Sequence, residues 1–107
     1  MEIKKFKFKR DKYRKTRGGT SHFLDLYCTK CKNHLLLYQK DGPGILKRLY
    51  LDRILAPDEL ISSKLLVCLK CSSLIGNLSI YEKEKRKAFN LIPGTLTKKI
   101  SKGEYDV

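Results

Sequence analysis

The sequence predicts a small, mostly β domain of antiparallel strands. Three observations carry this. Short apolar runs of strand length recur along the chain. Turn-forming residues separate them, most clearly Asp41-Gly42-Pro43-Gly44 and Pro93-Gly94. No segment sustains the apolar spacing of an amphipathic helix, and the 82–87 segment offers one helical turn at most.

The chain opens on residues 1–21, where nine Lys and Arg face only Glu2 and Asp11. Past Met1 the large apolar residues here are Ile3, Phe6, Phe8 and Tyr13, and Arg17-Gly18-Gly19-Thr20-Ser21 reads as a joint. We expect a flexible basic arm. The alternation Lys5-Phe6-Lys7-Phe8-Lys9 keeps an edge strand as the alternative. Residues 22–100 are expected to form the folded domain. Residues 23–27 form a strand into Cys28, and 34–40 a strand out of Cys31. After the Asp41–Gly44 turn, residues 45–51 make a third strand. The segment 52–63 reads as a loop with one helical turn after Pro57. Residues 64–67 lead into Cys68, 74–81 lead out of Cys71, and 87–92 and 96–100 flank the Pro93-Gly94 turn. Residues 101–107 read as a tail.

The chain repeats itself weakly. Leu26-Tyr27-Cys28-Thr29-Lys30-Cys31 and Leu66-Val67-Cys68-Leu69-Lys70-Cys71 are offset by 40 positions, and each is followed by an apolar run and a Tyr-x-Lys. A unit of strand, Cys-x-x-Cys turn and strand, used twice, implies a pseudo-two-fold arrangement with a metal between the turns. A Cys-x-x-Cys turn brings two thiolates to one side, so two turns supply four soft ligands for one tetrahedral ion. Cys28, Cys31, Cys68 and Cys71 are therefore the candidate ligands of one structural Zn²⁺, and four thiolates leave no position open for catalysis. The same thiols can hold iron. Redox dithiols call for a βαβ context, and disulfides for an oxidising compartment. His34 and His22 flank the first turn and are read as a strand residue and a linker residue. No Gly-rich phosphate loop and no His-Glu-x-x-His is present.

With 107 residues the chain fits one domain of the size that uses a metal to supplement a limited core. Its N-terminus lacks an apolar signal segment, and no apolar run is long enough to span a bilayer, so a cytoplasmic protein is expected. The formal charge of +13 favours polyanions. The candidate nucleic-acid contacts are Lys4, Lys5, Lys7, Lys9, Arg10, Lys12, Arg14, Lys15 and Arg17 in the arm. Lys47, Arg48 and Arg53 beside Tyr50, and Lys85, Arg86 and Lys87 beside Tyr81 and Phe89, would extend that surface.

Paired Cys-x-x-Cys turns at hairpin tips, a β body and a long intervening segment resemble the zinc-ribbon class, and within it the β-tent group of small zinc proteins. The resemblance covers roughly residues 23–100 and implies a binding module in which zinc pins two hairpins. The chain departs from members with an aromatic cage in having no Trp. Together these readings predict a non-enzymatic zinc protein that binds nucleic acid, with structured RNA or a ribonucleoprotein such as the ribosome favoured. A protein–protein adaptor in a transcription or translation assembly, meeting an acidic partner, is the alternative.

Overall fold

The computed structural model describes residues 2–106; Met1 and Val107, at the outer ends of the expected arm and tail, lie outside the described residues. The fold is mostly β, and its strands pair antiparallel throughout. The first sheet contains β2 (Ser21–Cys28), β3 (His34–Asp41), β5 (Ile54–Ala56) and β9 (Leu96–Ser101), in the order β5-β3-β2-β9. The second contains β4 (Arg48–Tyr50), β6 (Leu65–Val67), β7 (Leu74–Tyr81) and β8 (Arg86–Leu91), in the order β4-β8-β7-β6. A two-stranded ribbon joins β1 (Ile3–Lys5) to β10 (Glu104–Asp106). The one α-helix among the described residues, α1 (Lys12–Thr16), starts at Asp11, whose carboxylate accepts from the backbone N–H groups of Tyr13 and Arg14.

Alternation fixes which side of β2 is buried. Along β2, Leu24, Leu26 and Cys28 point inward while their neighbours are partly exposed. They pack with Leu36, Tyr38, Leu49, Leu66, Ile75 and Phe89 between the two sheets. The chain crosses between the sheets four times, from β3 to β4, from β4 to β5 through the 3₁₀ turn Leu51–Arg53, from β5 to β6, and from β8 to β9 through Pro93-Gly94. Gly76 sits where the sheet backbone is tight, since a Cβ there would lie 2.8 Å from the Asn90 carbonyl oxygen.

The repeat is present in the geometry. β3 and β7 begin and end 40 residues apart, and their hairpins carry a register shift at Leu26/Tyr27 and at Leu66/Val67. The equivalence extends one strand further, since β5 pairs with the outgoing strand of the first unit as β8 does with that of the second. It ends at the fourth strand, β9 joining the incoming β2 while β4 joins β8.

Some elements differ from the sequence reading. The strand expected over 45–51 shrinks to β4, because Ile45 stands 81% exposed on the loop beyond Gly44. Ile54–Ala56, read as loop, is a buried strand at the edge of the first sheet. The 82–85 stretch is a turn, with Lys85 at φ 54°. The strand alternative for the arm falls on Ile3–Lys5 rather than 5–9, and its partner lies in the segment read as a tail.

Candidate metal centre and basic surface

Each cysteine turn is built by the same backbone hydrogen bonds. In the first, Cys28 N–H donates to the Asn33 carbonyl (2.9 Å) and Lys32 N–H to the Cys28 carbonyl (2.8 Å). In the second, Cys68 N–H donates to Ser73 (2.9 Å) and Ser72 N–H to Cys68 (2.7 Å). Lys32 and Ser72 both adopt positive φ, 65° and 62°, which reverses the chain directly after the second cysteine. The loops therefore end with Cys28 and Cys68 buried and Cys31 and Cys71 half-buried.

All four sulfurs lie within 4.8 Å of one another. Cys28 Sγ is 3.6 Å from Cys71 Sγ, and Cys31 Sγ is 3.4 Å from Cys68 Sγ. With metal–sulfur bonds of about 2.3 Å, a tetrahedral tetrathiolate has edges of about 3.8 Å. The donor set therefore fits one metal ion, with two ligands from each hairpin. The surroundings favour thiolate at Cys71 and Cys68 and oppose it at Cys31. The Ser73 hydroxyl, 3.1 Å away, and the Ser73 backbone N–H bring the Cys71 thiol down to about 6. Burial pushes Cys68 up, but the backbone N–H groups of Cys71 and Lys70 outweigh it and leave the thiol below its usual range. Asn33 N–H lowers Cys31, yet desolvation and three adjacent sulfurs prevail and hold it at about 11. Four sulfurs this close cannot all ionise without a cation among them. His34 lies outside this cluster, 3.0 Å from Asp25.

The expected basic residues divide into three sets, of which Arg14, Arg17 and Arg48 are half-buried. Lys4, Lys5, Lys7, Lys9, Arg10, Lys12, Lys15, Lys47, Lys85 and Lys87 are exposed. Arg53 and Arg86, expected on the surface, are instead 1% and 4% exposed. Arg53 donates to Asp41 from Nε (2.8 Å) and to Asp11 from both terminal nitrogens. Arg86 is held by Asp52 and Glu84 and lies between two rings, 4.0 Å from the Tyr13 centroid and 3.7 Å from that of Tyr50. Arg17 grips Glu84 with two hydrogen bonds and reaches the Tyr50 hydroxyl at 3.0 Å. The segment expected as an arm is thus described in contact with the body. Phe8 stacks on Phe23, Lys9 exchanges backbone hydrogen bonds with the Gln39 amide, and Arg14 Nε donates to Ser21.

Desolvation raises Asp41, but Gln39, Ser21 and Arg53 outweigh it and hold the carboxyl below its normal range. Arg53 takes Asp11 down to about 2. Arg17 lowers Glu84. Beside this network lies a polar cavity of about 170 Å³ lined by Lys40, Lys47, Arg48 and Tyr50 among others. Arg48 stands over the Tyr81 ring at 4.2 Å and has no carboxylate partner among the described residues. Lys40 and the carboxylates Asp11, Asp41, Asp52 and Glu84 do not stand out in the sequence reading. Nothing in their local sequence marks them, since seven other acids of the chain lie outside this network.

Comparison of the chain with protein-family models, with curated proteins and with solved structures finds no match. No helix among the described residues is long and apolar enough to cross a membrane.

Proposed function

We propose that this chain is a non-enzymatic zinc protein that binds nucleic acid, structured RNA or a ribonucleoprotein in particular, through residues 4–17 and the adjoining cationic face. Zinc is the ion that four thiolates from two hairpins suit best, and a complete sulfur shell would give it a structural role.

The observation that carries the nucleic-acid reading is how the acidic residues are used. Of eleven acids, Asp11, Asp41, Asp52 and Glu84 are engaged by three of the twenty-four basic residues, Arg17, Arg53 and Arg86. Twenty-one basic and seven acidic residues remain, so the charge outside the network is +14. Internal pairing therefore neutralises none of the excess. Lys4 beside Phe6, Lys12 beside Tyr13 and Arg48 beside Tyr81 would supply phosphate contacts with rings close by. No reading helix of a kind that enters a major groove accompanies them among the described residues.

The test is metal content of the purified protein together with affinity for a structured RNA across a salt series. One zinc per chain is expected. Affinity should fall about a thousandfold or more between 50 and 200 mM salt if six or more phosphates are neutralised. A salt-independent affinity, or none, would overturn the nucleic-acid reading.

A further inference from the structure

The inner face of the first sheet runs past its cover. Leu24, Leu26 and Cys28 face the core, and their partners across β9 are Ile100, Lys98 and Leu96. Leu96 still packs against the core, but Lys98 is exposed and Ile100 is 73% exposed. The uncovered strip forms two adjacent grooves on either side of the loop that carries Ile45. The larger, about 640 Å³, has a floor of Leu46, Leu91, Ile92 and Leu96 with Lys47 and Lys98 at its rim. The smaller, about 290 Å³, brings His22, Leu24 and Lys40 to Lys98 and Ile100. No carboxylate lines either groove among the described residues. β9 is also an edge strand of six residues, paired only with β2.

We propose that β9 and these grooves are the docking site for an extended segment of an acidic partner protein, which adds as a strand to the β9 edge. The segment would lay apolar side chains into the groove and carboxylates onto Lys40, Lys47 and Lys98. Three features select this occupant. An open edge supplies unpaired backbone groups that an extended peptide satisfies, while alternate side chains fill the pockets beside it. Lysines on an edge strand repel a second copy of a chain as basic as this one, and attract an acidic one. The larger groove is aliphatic and offers no ring for a base to stack on, which sets it apart from the surface assigned to nucleic acid. The inference does not rest on the nucleic-acid reading, although Lys40 and Lys47 lie where the two surfaces meet.

The experiment uses the full chain and a fluorescent peptide of alternating Glu and Val, as long as β9. Binding is followed by anisotropy, and amide hydrogen exchange of β9 is followed by NMR. Three variants are compared: Ile45→Asp, Lys98→Glu and, as a matched charge change away from the grooves, Lys15→Glu. The peptide should bind the native chain and slow exchange at alternate β9 amides. Ile45→Asp and Lys98→Glu should each weaken it by about tenfold or more, and Lys15→Glu by less than about twofold. Ile45 and Lys98 are exposed, so melting should stay native; Ile100→Asp substitutes for either variant that does not fold. No binding, equal weakening by Lys15→Glu, or unchanged β9 exchange overturns the proposal. So does a single-stranded RNA whose affinity falls with Ile45→Asp as steeply as the peptide's.

Discussion

Arg53 combines a fully desolvated guanidinium with two carboxylates approached from different parts of the chain, Asp41 on β3 and Asp11 at the start of α1. A buried charge held in this way is destabilising to orphan in either direction. Arg53→Ala would leave Asp41 buried without its cation, so unfolding free energy should fall by about 3–5 kcal/mol. Lysine should recover only part, because an ammonium cannot hold both carboxylates in the fork geometry. Asp11 is 39% exposed, and Arg53 keeps Asp41 without it, so Asp11→Asn should cost only about 1–2 kcal/mol once solvent screening is allowed for. The sign of its pH dependence follows from the depressed pKa. The native advantage over Asp11→Asn should be constant above about pH 4, the unfolded carboxylate range, and should close as the pH falls toward 2. Urea titrations of both proteins across that range measure it. A difference that grows on acidification would show that Asp11 does not work through its charge.

At the scale of elements, the two hairpins are one design used twice, and the four-cysteine cluster is where they meet. Their turns share hydrogen bonds, positive-φ positions and bulges at equivalent sites. Cys28 and Cys68 occupy matching, buried positions. Cys28→Ser and Cys68→Ser should therefore be equally damaging, each abolishing the cooperative melt or lowering it as far as chelation does in the native protein, because metal binding and folding are coupled. A Cys68→Ser protein with native melting would sink the structural-metal reading. This part of the molecule was legible in the sequence. Cys-x-x-Cys spacing is set by local turn geometry, and the strands around it are apolar runs bounded by turn residues, so β2, β3, β7, β8 and β9 lie close to where those runs place them. What was not legible depends on distant partners. Ile54–Ala56 is too short to show a period, and it becomes a strand only because β3 offers it an edge. Arg53 and Arg86 look like surface cations until the chain brings Asp11, Asp41, Asp52 and Glu84 to them. Lys-Phe alternation in residues 5–9 suggested an edge strand, but Phe8 turns to stack on Phe23 and the ribbon forms at Ile3–Lys5.

For the whole molecule, the question is how residues 2–20 can rest on the body and still serve the nucleic acid proposed above. Their anchoring groups and their free cations are different residues. Asp11, Tyr13 and Arg17 hold the segment through Arg53, Arg86 and Glu84, whereas Lys4, Lys5 and Lys7 are exposed and make no ion pair among the described residues. The two roles should separate experimentally. Replacing Lys4, Lys5 and Lys7 together by Gln removes three positive charges and no anchor. RNA affinity should weaken, with a shallower salt slope by about two to three, while melting stays native. Deleting residues 1–17 strips Arg53 and Glu84 of one partner each but leaves Asp41 and Arg86 in place. The body should remain folded, destabilised by about 2–4 kcal/mol after discounting the exposed halves of the pairs, and RNA affinity should fall further than in the Gln variant. Urea unfolding and RNA titration on both proteins decide the matter. Unchanged stability in the deletion would mean that the segment does not rest on the body in solution. Complete unfolding would mean that it is part of the core. Full RNA affinity in the Gln variant would move the nucleic-acid surface off the segment and onto the cationic face around Arg48.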